Sequence, residues 1–255
     1  MVTAFWVILG LSLGSFVNVL IHRLPGGKSL FLPPSHCPRY GKPVAFYDNV
    51  PVLSFLWLRG RCRRCGQPIS WRYPAVEVLL GALAFGLWRR WGDPAWTTAA
   101  LVAVSALVAV AFIDWDTFLI PDELSVGLLG LGVLTAAVNP AFSGSFPWRL
   151  AASLGGAAAG FAMSWAVATF GEALFKREAM GGGDIKLLAA VGAWSGALGA
   201  FDCLLLGSMV GAVYGAALLA RRKVRRQDPI PFGPFLSAAA VFNFFHILPF
   251  GFPFN

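Results

Sequence analysis

Two short stretches hold the residues best able to do chemistry. The first is Ile113-Asp114-Trp115-Asp116-Thr117-Phe118-Leu119-Ile120-Pro121-Asp122. The second is Gly181-Gly182-Gly183-Asp184-Ile185-Lys186. Each follows or opens a long apolar run, and ionisable groups are costly where a chain enters a membrane. Asp114 and Asp184 are therefore the focus, with Asp116 an open alternative in the first stretch. Two neighbouring carboxylates cannot both ionise cheaply, so one of them holds a proton near neutral pH. Such a pair supplies a base for water and an acid for a scissile carbonyl or its leaving amine. Gly181 and Gly183 let the backbone take unusual angles and let another chain approach closely. An extended peptide can lie along such a loop. A flexible interhelical loop with an Asp helix cap explains the same residues equally well, and both readings stay open at this point. Asp122 and Glu123 follow Pro121 at a helix start, where acids are favoured by the dipole, and they read as caps.

The elements that must position these groups follow from composition. The chain has 255 residues, 57% of them apolar and 13% charged, with a mean hydropathy of +0.69 and a formal charge of +8. Soluble domains carry roughly 45–50% apolar and about 25% charged residues. Disorder, a collagen-like chain and a disulfide mini-protein are excluded. The expected class is an all-α polytopic membrane protein. Apolar runs cover residues 2–21, 74–88, 96–113, 124–138, 150–170, 185–200, 203–220 and 235–250, which predicts about eight spans. Several are short for a hydrocarbon core of roughly 30 Å, and tilt or local thinning absorbs this. The pair Gly199 and Asp202 predicts a tight external turn between the sixth and seventh spans.

The first run has no Lys or Arg before it and Arg23 after it, opposite to a secretory signal, so it reads as a retained helix with its N-terminus outside. On that topology residues 23–73, 114–123, 171–186 and 221–233 face inward. They hold 17 of the 20 Lys and Arg residues, in agreement with the positive-inside rule. The positive charge then means cytoplasmic anchoring aided by anionic membrane lipid, not nucleic-acid binding. Asp114 falls at the inner end of the third span and Asp184 at the inner start of the sixth. The predicted organisation is a first helix at 1–22, a cytoplasmic loop subdomain at 23–73, and a membrane core at 74–255.

That loop is too short for an independent core and needs a staple. It carries Cys37 and the pair Cys62 and Cys65, and a CxxC on the cytoplasmic side points to zinc or redox chemistry. The position matching a fourth cysteine, three after Cys37, is Tyr40. With His36 adjacent to Cys37 an awkward fourth ligand, weak or substoichiometric zinc is expected at Cys37, Cys62 and Cys65. The alternative is a degenerate knuckle held by packing. Cys203, in an apolar span, reads as a packing residue.

Glu77, near the inner end of the second span, is a candidate functional carboxylate by position; a structural ion pair, for instance with Arg72, explains it equally well. Asn18 and Arg23 sit at an inner interface, to contact the loop or substrate or to anchor there. Asn243 and His246 read as polar packing in the last span. Two other classes fit parts of the pattern. A transporter also carries membrane carboxylates and broken helices, but it places them near the midplane and shows repeats. An assembly subunit has no need of two aspartates at matched depth.

Taken jointly, the motifs resemble the bacterial type IV prepilin peptidases, bifunctional GxGD aspartic proteases. The resemblance runs through Gly14-Ser15-Phe16-Val17-Asn18-Val19 with Arg23 and Pro25, then Tyr47-Asp48-Asn49-Val50-Pro51-Val52-Leu53-Ser54 and Leu58-Arg59-Gly60-Arg61-Cys62. It continues with Gln67-Pro68-Ile69-Ser70, Arg72-Tyr73-Pro74 and Glu77. It ends with Asp114 six residues before Ile120-Pro121, Gly181-x-Gly183-Asp184-x-Lys186-Leu187 and Pro231-Phe232-Gly233-Pro234. It implies that Asp114 and Asp184 are the catalytic pair, that Asp114 is preferred over Asp116, and that Gly181, Gly183 and Lys186 position the loop or the substrate. It also implies prepilin or pseudopilin substrates, cleavage of a short basic leader after a glycine at the cytoplasmic face of the inner membrane, and methylation of the new N-terminus, usually Phe, from S-adenosylmethionine, with Glu77 the methyltransferase candidate by position alone. A GxGD peptidase without methyltransferase activity is the alternative. Tyr40 departs from the family pattern and weakens the tetracysteine zinc site.

Overall fold

The structure is a computed structural model that describes all residues except 33, 38–40, 177–179, 224, 226–227 and 246–255. The described residues form helices and turns, with two isolated bridges and no strand. The helices are α1 (Val2–Arg23), α2 (Leu53–Trp57), α3 (Arg72–Trp91), α4 (Pro94–Thr117), α5 (Asp122–Leu134), α6 (Phe146–Phe175), α7 (Gly182–Ala220) and α8 (Gly233–Asn243). Four helical stretches, Val2–Gly26, Pro94–Thr117, Phe146–Leu174 and Gly182–Ala220, are long and apolar enough to cross a membrane.

The chain divides into two compact units, Met1–Thr97 and Thr98–Asn255. The first joins α1, the 23–73 loop and α3, so α3 belongs with the loop's unit rather than with the following helices. Small residues let α1 and α3 close on one another. A side chain at Gly10 would strike the Leu80 carbonyl and Ala84, and one at Gly14 would strike the Glu77 backbone. Trp6 stacks on Trp88 at 5.4 Å. Asn18 donates to the Tyr73 carbonyl at 3.1 Å, so it fastens α1 to the start of α3.

In the second unit α7 is the centre. Its first part packs on α6, where Gly156 and Gly192 bring the two backbones into direct contact and Ser153 donates to the Ala193 carbonyl at 2.8 Å. Trp194 donates through Nε1 to the Leu128 carbonyl at 2.8 Å, fixing α5 against the same segment. A straight helix of 39 residues would be about 58 Å long, nearly twice the hydrocarbon thickness. The chain instead breaks at Gly196, whose φ of 74° and ψ of −178° lie in a region open essentially to glycine alone. Met180 and Gly211 line one cleft, although a straight helix would hold them more than 40 Å apart by its ~1.5 Å rise per residue, so the chain folds back there. The expected turn at Gly199 and Asp202 therefore lies at Gly196. Gly199 and Asp202 are buried in the returning arm, where Gly199 accepts from Asn243 at 2.9 Å. That contact also gives Asn243 the packing role expected of it. Cys203 is buried and donates to the Leu236 carbonyl at 3.1 Å, a packing role as expected. His246 lies outside the described residues.

Candidate active site

Asp114 occupies the last turn of α4 and is 5% exposed. The helix stops three residues later because Phe118 takes φ 56°, and the Phe118 N–H closes back on the Asp114 carbonyl at 2.9 Å. The Asp114 carboxylate accepts the Gly233 N–H at 2.8 Å through Oδ2. Only glycine fits there, since a Cβ at Gly233 would sit 2.9 Å from that same oxygen. The Pro-Phe-Gly-Pro segment thus delivers a backbone donor to a carboxylate 119 residues away in sequence.

Asp184 sits in the first turn of α7, after the N-cap Gly181. Its own N–H donates to the Gly181 carbonyl at 3.1 Å, and the Gly181 N–H reaches its carboxylate. Asp184 lies close enough to Asp114 for their charges to interact. Its Oδ1 is buried and has no hydrogen-bond partner among the described residues. A buried acceptor left unpaired is costly unless something else fills that role. The described arrangement is two carboxylates within electrostatic reach of one another, one oxygen held by a backbone N–H and another uncommitted. That is what activation of a water and protonation of a leaving amine require.

The glycines around Asp184 divide their work. Gly183 faces Ile120, Gly181 lies against Asp184 itself, and Gly182 faces open space. Lys186 pairs with Asp122 through two contacts of 2.7 and 2.8 Å. This pair ties the start of α5 to the start of α7; no side-chain cap bond forms at the start of α5. Asp116, two residues beyond Asp114, is exposed.

In the first unit Glu77 is buried and accepts the Val52 N–H at 2.7 Å. Ser15 also reaches the carboxylate. Val52 is the N-cap of α2 and sits at φ 61°, an unfavourable angle for a β-branched residue. Glu77 therefore holds a strained turn of the loop against α3, which is the geometry of a positioning residue. Arg23, through Nη1, donates to the Ser29 carbonyl at 2.9 Å and closes the start of the same loop.

The three loop cysteines converge as expected. Their sulfur atoms all lie within 4.8 Å of one another, with Cys37 and Cys65 at 3.6 Å. Thiolates on one tetrahedral zinc stand about 3.8 Å apart, given a Zn–S bond of roughly 2.3 Å. Hydrogen bonds from the Cys65 and Arg64 backbones lower the Cys62 thiol to about 7, which favours the thiolate. His36 is exposed, directs Nδ1 to the Pro34 carbonyl at 3.3 Å and does not join the cluster. Tyr40 lies outside the described residues. The site fits zinc through three thiolates.

The match of Tyr40 to a fourth cysteine extends to a longer repeat that organises this cluster. Cys37 donates to Lys42, Gly41 to Cys37 and Val44 to Ser35; twenty-five residues later Cys62 donates to Gln67, Gly66 to Cys62 and Ile69 to Gly60. The bridges His36–Pro43 and Arg61–Pro68 keep the same offset. The signal was present in Cys-Pro-Arg-Tyr-Gly-Lys-Pro against Cys-Arg-Arg-Cys-Gly-Gln-Pro, where Tyr40 and Cys65 occupy equivalent places.

Comparison with known proteins agrees with this layout. Residues 8–91 match the Bacterial Peptidase A24 N-terminal domain, and residues 101–216 match the Type IV leader peptidase family. The chain belongs to the type IV leader peptidase family. Among its relatives is a Burkholderia pseudomallei (strain K96243) protein named prepilin leader peptidase/N-methyltransferase, 37% identical over 97% of this chain and 86% of the relative. Proteins of the same name from Aeromonas hydrophila and Myxococcus xanthus (strain DK1622) are 40% and 44% identical, over 91% and 84% of this chain and 86% and 62% of their own lengths. No solved structure matches the chain.

Proposed function

We propose that this protein is a bifunctional prepilin leader peptidase and N-methyltransferase, in which Asp114 and Asp184 cut the leader of prepilins or pseudopilins. The observation that carries the peptidase half is that the two carboxylates lie within electrostatic reach of one another, one fixed by the Gly233 N–H and the other with an uncommitted buried oxygen. One carboxylate takes a proton from water as it attacks the scissile carbonyl. The other gives its proton to the leaving amine, so the pair ends with one proton, as it began. The relatives' shared name supports the second activity, transfer of a methyl group from S-adenosylmethionine to the freed amine. Cysteines 37, 62 and 65 would hold a structural zinc that fastens the two knuckles; it supplies no catalytic step.

The distribution of basic residues supports a multi-pass protein of the bacterial inner membrane with the aspartates at the cytoplasmic face. With α7 folded back at Gly196, the eight apolar runs fit eight crossings, and 23–73 forms a cytoplasmic loop subdomain between the first two of them. The test is mass spectrometry of a prepilin incubated with the purified protein and methyl donor. Loss of the leader and a methyl increment on the new N-terminus are expected in one spectrum. An intact prepilin overturns the peptidase reading, and cleavage without the increment leaves a peptidase alone.

A further inference from the structure

Helix α2 turns its apolar side outward. Leu53, Leu56 and Trp57 share one helix face by their i, i+3 and i+4 spacing, and they are 65%, 61% and 80% exposed. The buried pair is Ser54, which donates to the Tyr47 carbonyl at 3.1 Å, and Phe55, whose ring meets that of Trp71 at 4.7 Å. Trp71 is itself exposed and extends the patch. A contiguous exposed apolar patch marks a surface that something covers.

Tie points within the first unit fix the depth of this patch. Val52, the N-cap of α2, donates to Glu77, which lies about 7.5 Å along α3 from Arg72 by the helical rise. Phe55 touches Trp71, the N-cap of α3. Asn18 donates to the Tyr73 carbonyl, and Asn18 lies inside Val2–Gly26, the stretch of α1 able to cross a membrane. Helix α2 therefore sits beside the end of that stretch, at the level where headgroups meet hydrocarbon and where Trp is favoured. Two exposed arginines, Arg59 and Arg61, follow shortly after Trp57. Asp48 is the one acid in residues 23–73 and is held by Arg63 at 2.7 Å, so the loop presents positive charge to its surroundings.

We propose that α2 is an interfacial anchor: Leu53, Leu56 and Trp57 enter the headgroup layer of the bilayer, while Arg59 and Arg61 pair with its anionic phosphates. The proposal rests on the reading of α1 and α3 as membrane-crossing helices. An amphipathic segment of this kind lies in the plane of the interface with its apolar face buried about 5–10 Å. Basic residues at that surface add attraction to an anionic leaflet. A soluble partner would have to enter the headgroup layer to reach a face at this depth. The 23–73 loop thus lies along the membrane surface instead of projecting from it.

The experiment replaces Leu56 by a nitroxide-bearing residue in the full-length protein, reconstituted in vesicles of phosphatidylethanolamine with phosphatidylglycerol. Collisions are read with oxygen, which concentrates in the bilayer, and with a nickel chelate, which stays in water. Position 56 should be open to oxygen and shielded from the chelate, at a depth of about 5–10 Å. A label at exposed Gln67 should meet the chelate freely. Arg59→Gln with Arg61→Gln should raise chelate access at position 56 in these vesicles and leave it unchanged in phosphatidylcholine. A label at Leu53 gives the same reading where position 56 does not tolerate one. Chelate access at 53 and 56 equal to that at 67 overturns the anchor. Shielding that appears only on addition of a prepilin assigns the face to substrate, and spin–spin broadening lost on dilution with unlabelled protein assigns it to a second copy; both overturn it. A label at Ile8, exposed on α1, separates the two failures: free chelate access there means that α1 does not cross the membrane, and the membrane reading itself has failed.

Discussion

Gly183 and Ile120 meet so closely that a Cβ on the glycine would lie 2.9 Å from that of the isoleucine. The two residues belong to the turns that follow Asp114 and precede Asp184, so their contact sets how near the carboxylates come. A methyl group at Gly183 must push the turns apart, and a small misplacement of catalytic groups is costly in rate. Gly183→Ala should lower cleavage at least tenfold with folded protein retained. Gly182→Ala, which adds its methyl to open space, should stay within about twofold. Prepilin cleavage rates of the two variants, with a melting curve for each, check this.

Asp114→Asn and Asp184→Asn should each abolish cleavage. Because the two act as a unit, the double variant should be no slower than either single one. Exposed Asp116 is the control, and Asp116→Asn should keep most of the activity. A silent Asp116→Asn protein beside an active Asp114→Asn protein would move the catalytic role from Asp114 to Asp116.

Glu77→Ala removes the acceptor from a buried N–H and should destabilise the 23–73 loop by about 1–3 kcal/mol. Limited proteolysis should then cut the loop faster, and the fraction of cut substrate that carries a methyl group should fall more than cleavage itself. Glu77→Gln retains a carbonyl oxygen toward Val52 and should be milder on both measures. Proportional loss of both reactions would make the loop a shared substrate platform.

Elemental analysis of the purified protein should find less than one zinc per chain, released readily to a chelator. Tyr40→Cys should bring the content to one, resistant to the same chelator, since a fourth thiolate closes the tetrahedron. One firmly held zinc in the unsubstituted protein, lost on Cys62→Ser, would mean that another residue already closes it.

The Lys186–Asp122 pair is half-exposed on the lysine side and more so on the aspartate side. Such pairs contribute at most about 1 kcal/mol. Lys186→Gln should therefore cost little stability and reduce cleavage only a few-fold, with Asp122→Asn giving a matching loss. A cleavage defect as deep as that of Asp184→Asn would show that the ammonium acts on substrate.

The positions of the aspartates were legible because carboxylates at the ends of apolar runs stand out against 13% charged residues. Helix existence was legible for the same reason: apolar runs of 15 to 21 residues leave few alternatives. Which faces meet was not, because a bond such as Gly233 to Asp114 joins segments with no common local pattern. Glu77 was placed near the loop by its position, but its partner is a backbone N–H, and any residue supplies one. The fold-back went to Gly199 and Asp202 because a charged residue usually marks a loop. Burial of Asp202 shows that the packed arm tolerates it, and the backbone angle only glycine reaches fell three residues earlier.

The paired knuckles also bear on descent. Two segments with one hydrogen-bond plan at a constant offset are the mark of a duplicated hairpin, and the copies have since diverged at Tyr40 and Cys65. Tyrosine and cysteine codons differ by a single base. Around Tyr40 the hydrogen bonds from Cys37, Gly41 and Val44 persist without a fourth thiol. One base change can thus add or remove the fourth thiolate, with the hairpin's backbone hydrogen bonds left standing.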